Sequence, residues 1–252
     1  MSVSEIVIIA QAENRLAFNL KKRAKSPQFN LCGYKIGVEK HGSDVMCIDE
    51  KPLFIAQTFC PTCETLIKYG QGGDWTGLED SINAPFENIE KSFNILRPLI
   101  SMFPVGKYDL KAEELYPVSP YNEFFWNIKE YNPHYRCRHW DGFIVPTQSP
   151  KRFNMERVNY YRGKHNIYAV ALKIKNISYL LDGHHKASAA TLDGRKIRCL
   201  TIQNTWSDYF DKVNPLRSTI NQAKTAIKNS VECNFPAELI ESASKFEVKR
   251  DA

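Results

Sequence analysis

Residues 167–202 read IYAVALKIKNISYLLDGHHKASAATLDGRKIRCLTI, and this stretch decides the fold class. Apolar and polar residues alternate over 168–174 as in a half-buried strand, and a second strand is predicted over 177–181, after a short turn at 175–176, so the two form a hairpin. The alanine-rich residues 187–192 predict a helix that Gly194 ends, and another strand follows it. Strands and helices in this order are typical of a compact α/β arrangement.

Five residues, DGHHK, fall at the junction between the second strand and the helix: Asp182, Gly183, His184, His185 and Lys186. The first N–H groups of a helix and the positive end of its dipole bind phosphate, and a glycine lets a ligand approach the backbone. We therefore expect residues 183–186 to form a phosphate site, in which one histidine faces the ligand and the other braces the turn. The alternative is a surface turn in which Asp182 caps the helix and both histidines form local hydrogen bonds.

The DGHHK turn and the elements around it resemble the ParB/sulfiredoxin superfamily, whose pattern is strand, G-x-x-[RK] turn, alanine-rich helix, glycine and strand. Residues 143–146 are similar to the opening strand of that superfamily, residues 149–161 to the helix that follows it, and residues 203–213 to the closing helix of sulfiredoxins. The expected α/β (α+β) organisation has three parts: an N-terminal α+β module over 1–130, a compact ParB/sulfiredoxin-like domain over 139–215, and a C-terminal helix and tail over 216–252.

The resemblance also implies a set of nucleotide-binding residues, which are Gly183, His184, His185 and Lys186 in the phosphate loop and Lys151 and Arg152 as phosphate contacts. Sulfiredoxins carry their catalytic cysteine where this chain has His184, so sulfiredoxin activity is not expected. ParB proteins follow the core with a helix-turn-helix region, but only about fifty residues follow it here, so a chromosome-partition role is not expected either. Free serine kinases of the superfamily take a base from the first strand, for which Asp141 and Glu156 are the substitutes in this chain.

The preferred hypothesis is an enzyme that binds ATP, CTP or another nucleotide with Mg²⁺ and transfers or hydrolyses phosphate. Lys186 and the helix N–H groups would hold phosphate, and His184 or His185 would act as acid, base or orienter. Asp182 or Asp141 would hold the metal ion or activate a hydroxyl group. The N-terminal module would recognise a second substrate or a partner.

A rival hypothesis is a nucleic-acid-binding regulator or defence component, which senses a nucleotide or a phosphate backbone without chemistry of its own. Related DGQHR-type turns occur in DNA-modification systems, as the resemblance implies. Five basic residues predict either a basic face along one helix or an ordinary solvated face: Lys151, Arg152, Arg157, Arg162 and Lys164. The segment YNPHYRCRHW over 131–140 suits either base stacking or, more simply, core packing.

A separate motif, CPTC, places Cys60 and Cys63 two residues apart, after a predicted strand over 51–59 and before a predicted helix over 64–69. We rank three interpretations of this pair. The first is half of a structural Zn²⁺ site, the second is a redox-active pair, and the third is two buried, inert cysteines. The remaining zinc ligands would come from one of two sets: Cys32 with Cys47, or Cys137 with His134 or His139.

The rest of the chain carries fewer signals. A strand is predicted over 30–38, and the spacing of Ile89, Phe93, Leu96 and Ile100 predicts a helix that Pro98 and Pro104 stop. Residues 124–126 and Cys199 are expected in the core, as is Cys233.

Composition bounds the class of protein. The 252 residues are 43% hydrophobic and 25% charged, and no run approaches the roughly 20 apolar residues that span a bilayer. The apolar stretch over residues 6–10 is too short for a signal-peptide core, so a cytoplasmic location is expected, with no membrane partner. Seven scattered cysteines, an odd number, do not resemble a disulfide framework, so most are expected to be reduced. The net charge of +6 suits an anionic ligand such as a nucleotide or nucleic acid.

Overall fold

The computed structural model describes residues 4–23, 29–36, 41–48, 51–60, 63–67, 86–127, 130–131, 141–148, 150–174, 177–204 and 234–248. For the ranges between 29 and 67 and for 130–131 the description is of the backbone.

The described residues contain twelve strands: β1 (Glu5–Ala12), β2 (Arg15–Lys22), β3 (Phe29–Ile36), β4 (His41–Ile48), β5 (Lys51–Cys60), β6 (Cys63–Ile67), β7 (Gly106–Leu115), β8 (Glu130–Tyr131), β9 (Ile144–Pro146), β10 (Ala169–Ile174), β11 (Ile177–Asp182) and β12 (Ile197–Asn204). They also contain four α-helices: α1 (Ile89–Ile100), α2 (Met155–Tyr161), α3 (His184–Leu192) and α4 (Ala237–Ser244). A single 3-10 turn, Pro150–Arg152, precedes α2.

Seven strands form one mixed sheet in the order β1-β2-β7-β12-β10-β11-β9. Strand β10 is antiparallel to β11 and parallel to β12, and β11 is parallel to β9. From β9 to β12 the chain runs strand, loop, helix, strand, strand, helix, strand, which confirms the predicted order of elements. A mixed sheet with helices between its strands agrees with the expected α/β class.

The same sheet joins strands that the sequence assigned to different parts of the chain. Strands β1, β2 and β7 come from the expected N-terminal module, and β9 to β12 come from the expected C-terminal domain. The junction is the antiparallel pair β7 and β12, whose register runs from Tyr108 opposite Asn204 to Leu115 opposite Ile197. Strands on both sides of residues 130–139 therefore share one hydrogen-bonded sheet.

Alternation in β2 explains how one face of the sheet is filled. Leu16, Phe18 and Leu20 are fully buried, and the residues between them are not. The Phe18 ring lies 5.2 Å from Phe93 of α1 and 5.5 Å from Tyr108 of β7. Burying a side chain of this size stabilises the fold by about 1.5–3 kcal/mol.

Helix α1 confirms the predicted helical spacing but not the predicted stop. Its N-cap is Asn88, whose side-chain oxygen accepts a hydrogen bond from the Lys91 backbone N–H at 2.8 Å. Pro98 lies inside the last turn, and the helix continues to Ile100. A proline near the end of a helix removes one hydrogen bond but leaves the earlier turns intact, so Pro98 does not end α1.

Five strands form a second, antiparallel sheet in the order β3-β4-β5-β6-β8, which confirms the strands predicted near 30–38 and 51–59. The helix predicted over 64–69 is wrong, because β6 occupies Cys63–Ile67 and pairs with β5. The β-branched residues Thr65 and Ile67 favour a strand, and the free edge of β5 supplies the hydrogen-bond partners.

Within the described ranges, no helix is long and apolar enough to cross a membrane.

Candidate functional site

Gly183 lies where β11 ends and α3 begins, which confirms the predicted strand-to-helix junction. Its φ of +95° belongs to the left-handed region that favours glycine. A Cβ atom at this position would lie 2.7 Å from Ala169 Cβ and 3.0 Å from Ala169 Cα. The start of α3 therefore rests directly on the backbone of β10, and only glycine fits there.

The N-cap of α3 is Gly183, and no side chain caps the helix. The alternative interpretation, in which Asp182 caps α3, is therefore wrong on this point. The Asp182 carboxylate turns instead towards Lys186, whose Nζ lies 3.5 Å away, and its side chain remains 28% exposed. The helix also begins at His184, three residues before the predicted alanine-rich segment, so both histidines and Lys186 lie in its first turn.

Lys186 is buried beneath the start of the helix, with an exposed fraction of 2%. Its Nζ donates a hydrogen bond to the Tyr168 carbonyl oxygen at 2.9 Å, next to the contact with Asp182. Burial lowers the pKa of Lys186, and the Asp182 carboxylate opposes that change. The residue thus places a cation inside the protein, below the backbone of Gly183, rather than on the surface.

His184 is buried and holds the loop that follows β9. Its Nε2 accepts hydrogen bonds from the backbone N–H groups of Thr147 at 3.1 Å and Gln148 at 3.0 Å. An imidazole nitrogen that accepts hydrogen bonds carries no proton, so these contacts require a neutral ring. His184 is therefore a fixed brace between the first turn of α3 and the strand β9.

His185 is buried and holds the next part of the same loop. Its Nε2 lies 3.1 Å from the Asn154 backbone nitrogen and 3.1 Å from the Arg152 carbonyl oxygen. One neutral tautomer accepts from Asn154, and the other donates to Arg152. Burial, and next the positive charge of Arg157, lower the pKa of His185 to about 4. The ring is therefore neutral at pH 7.

The aromatic ring of Trp126 packs against both histidines on the side facing the core. The Trp126 ring lies 5.0 Å from the His184 ring and 5.3 Å from the His185 ring, and its Nε1 donates to the Gln148 carbonyl oxygen at 2.8 Å. Trp126 is fully buried, as predicted for residues 124–126. The sequence placed Trp126 only in the core, because no local pattern links it to a turn so far along the chain.

Basic side chains rim the outer side of the turn. Lys151 and Arg152 are exposed on the 3-10 turn that contacts His185. Arg157 is exposed on α2, hydrogen-bonds Tyr161, and lowers the pKa values of His185 and Lys186, although burial is the larger cause in both. The structure thus adds Arg157 to the residues predicted for the site.

Asp141 lies away from the turn. It is exposed and forms an ion pair with Lys173, with 2.6 Å between Lys173 Nζ and the carboxylate. Because β9 runs parallel to β11 with Ile144 opposite Ser178, Asp141 precedes one strand while Asp182 ends the other. At about 3.3 Å per residue the two carboxylates are separated by roughly 20 Å along the strands. Asp141 and the histidines are not brought together.

The CPTC cysteines occupy facing positions in the second sheet, because Cys60 of β5 and Cys63 of β6 are backbone partners. The helix that a thioredoxin-like redox pair would need after Cys63 is replaced by β6. Of the other predicted zinc ligands, Cys32 lies on β3 and Cys47 lies on β4. Several predictions concern positions outside the described residues: His134, Cys137, His139, Cys233, most of 131–140 and residues 205–213. Where side chains are described, no three His, Cys, Asp or Glu residues are grouped to hold a metal ion. Cys199 is buried in the core, as predicted.

A scan of the chain against protein-family models found no match, and searches of curated proteins and of solved structures found none either.

Proposed function

We propose that the start of α3 binds the phosphate groups of a nucleotide, in a region over residues 139–215 that resembles the ParB/sulfiredoxin superfamily and shares its sheet with β1, β2 and β7. The observation that carries the proposal is the uncapped first turn of α3, a helix of nine residues that begins at the left-handed Gly183. Such a turn presents backbone N–H groups and the positive end of a helix dipole to an anion.

Charge around the turn supports an anionic ligand. Lys186 lies below the turn and Arg157 lies beside it, and both add positive potential near Gly183. Lys151 and Arg152 lie on the adjoining 3-10 turn, and both are exposed to solvent. A phosphate group carries enough negative charge to be attracted by several such cations at once.

The histidines suit a positioning role in this site. His184 and His185 bind the backbone of the segment from Thr147 to Asn154, which carries Lys151 and Arg152. They therefore fix the distance between the basic loop and the start of α3. We assign orientation of the phosphate contacts to both histidines, rather than proton transfer.

Asp182 is the acidic residue of the site, and its carboxylate is partly exposed beside the first turn of α3. Mg²⁺ is commonly held by one or two carboxylates together with the phosphates of its nucleotide, so one carboxylate here fits a Mg²⁺-nucleotide. The metal ion would neutralise charge on the transferred phosphate. Asp182 would hold the metal ion or activate the attacking hydroxyl group or water, and the protein would transfer or hydrolyse phosphate.

Nucleotide binding should raise the melting temperature of the full-length protein. We expect at least one of ATP, ADP, CTP and GTP, each with Mg²⁺, to stabilise it by about 2.7 kcal/mol at one hundred times its dissociation constant. Arg157→Gln should weaken the shift, because it removes the exposed cation whose charge acts on His185 and Lys186 in the first turn of α3. Lys21→Gln removes an exposed cation from the distant strand β2 and should leave the shift unchanged.

Two results would count against the nucleotide site: no shift with any of the four nucleotides, or the same shift in Arg157→Gln as in the wild type. Release of phosphate from the stabilising nucleotide, or its transfer to an added alcohol, then separates an enzyme from a nucleotide sensor.

A further inference from the structure

Most of the net charge of the protein lies in the segment 150–164, which contains α2. Residues 150–164 contain five Lys and Arg side chains and one Glu, a net charge of +4 out of +6 for the chain. Val158 and Tyr161 are the buried residues of α2, and they pack with Ile167 and Ala189. Arg157, the basic residue within α2, therefore lies on a face of the helix that this packing leaves to solvent. The other four basic residues lie in the segments on either side of the helix.

An exposed aromatic residue lies among these charges. Tyr160 is 65% exposed, and Lys164 Nζ lies 3.2 Å from the centre of its ring. Arg157 lies three residues before Tyr160 on α2, which puts the two on one face of the helix. Lys164 follows the end of α2, and its side chain reaches back to the Tyr160 ring. We call these three residues the α2 strip.

The cations of the α2 strip differ from a neighbouring arginine in their ion pairs. Among the residues with described side chains, neither Arg157 nor Lys164 has a carboxylate at ion-pair distance, whereas the neighbouring Arg162 lies 3.6 Å from Asp193. An anion can therefore bind the α2 strip without first breaking an ion pair. Repeated phosphates spaced along a chain suit two cations that flank one aromatic ring.

The two cations and the single aromatic ring of the α2 strip favour one class of binding partner over others. A membrane surface would need several exposed apolar residues to insert, and Asn159 and Glu156 are the other exposed residues of the helix. A duplex keeps its bases stacked on each other, so a tyrosine ring gains little from it. Unstacked bases offer π-faces to an exposed ring, and their phosphates reach the flanking cations.

We propose that the α2 strip binds single-stranded nucleic acid, with one base stacked on the face of Tyr160 opposite Lys164 and the adjoining phosphates bound by Arg157 and Lys164. The proposal goes beyond nucleotide binding at the start of α3, because Tyr160 has no part in that site. It gives the protein a polymeric partner whose sequence is not read, since stacking accepts every base.

The test measures fluorescence anisotropy of labelled 20-nucleotide oligo(dT), 20-nucleotide oligo(U) and a 20-base-pair duplex with the full-length protein. Tyr160→Ala should weaken binding of the single strands about tenfold, the loss expected for one stacking ring. Tyr121→Ala is the matched control, because Tyr121 is also exposed, at 62%, but lies outside α2. Lys164→Gln should lower the slope of log affinity against log salt by about 0.7.

Single strands bound more tightly than the duplex, with the loss confined to Tyr160→Ala, would support the proposal. The oligo(dT) and oligo(U) arms then show whether DNA or RNA is preferred. Equal affinity of Tyr160→Ala and the wild type, or no binding of either single strand at about 0.1 M salt, would overturn it. Equal melting temperatures of the variants exclude misfolding as the cause of a loss.

The two proposals fail separately. Tyr160→Ala should keep the full melting-temperature shift with nucleotide, so loss of oligonucleotide binding in that variant leaves the nucleotide site standing. A wild-type protein that binds oligonucleotides but shows no shift with any mononucleotide removes the nucleotide site and keeps the α2 strip.

Discussion

Gly183→Ala is expected to lower the free energy of unfolding by about 3 kcal/mol. A side chain at a φ of +95° costs about 1–2 kcal/mol, and the new Cβ would overlap Ala169, whose backbone cannot move without shifting β10. For a chain of this size the loss corresponds to a melting temperature lower by about 6–12 °C. Urea unfolding and thermal denaturation measure the change.

Gly194→Ala is the matched control for the backbone part of this effect. Gly194 also has a positive φ, +62°, but no atom lies within 4 Å of a Cβ built there. Gly194→Ala should lower the free energy of unfolding by about 1 kcal/mol, because it carries only the strain of a side chain on a left-handed backbone. Ala169→Gly in the Gly183→Ala background should recover part of the loss. Equal costs at Gly183 and Gly194 would contradict the close approach of α3 to β10.

Acid is expected to destabilise the protein through His185 between about pH 6.5 and pH 4. The unfolded histidine takes up a proton near its ordinary pKa of 6.5, whereas the folded ring resists protonation until its pKa of about 4. In this window the unfolded state binds more protons, so the stability falls as the pH falls. The loss reaches up to about 3 kcal/mol by pH 4, and the full stability is present above pH 6.5.

His185→Gln removes the titrating ring and keeps a hydrogen-bonding side chain, so its stability should fall less over this range. Urea unfolding at pH 8, 7, 6, 5 and 4.5 measures the difference in slope from the wild type. His165→Gln is the control, because His165 is exposed in the folded chain, and it should follow the wild type. Parallel curves for His185→Gln and the wild type would show that His185 is not protected from protonation.

The sequence predicts the order of elements well where local patterns are strong. Two strand-like runs separated by a short turn mark β10 and β11, and Gly183 marks the junction, because its left-handed backbone conformation favours glycine. The packing of α3 has no such signal. Every residue from His184 to Thr191 is buried, so the helix shows no polar face from which its orientation can be read.

The burial of Lys186 was not predictable for the same reason. A lysine at the start of a helix ordinarily reaches for solvent or phosphate, but the small side chains of Ala187 and Ala190 let α3 approach the sheet closely. Its amine then meets the Tyr168 carbonyl. The distance of Asp141 from the DGHHK turn was also not predictable. It follows from the parallel pairing of β9 with β11, and no pattern of neighbouring residues in the sequence indicates that direction.

The order of strands in the seven-stranded sheet sets the timing of folding on the ribosome. The hairpin of β1 and β2 must pair with β7, about ninety residues later, and β7 must pair with β12 about ninety residues after that. At about 5–20 residues per second, the hairpin waits roughly 4–20 s for its first neighbour. During that interval the edge of β2 is open, and Val7, Ile8 and Ile9 of β1 are exposed even in the finished protein. Nascent chains therefore carry an unprotected apolar hairpin through about a third of synthesis, and slower translation should increase their dependence on chaperones.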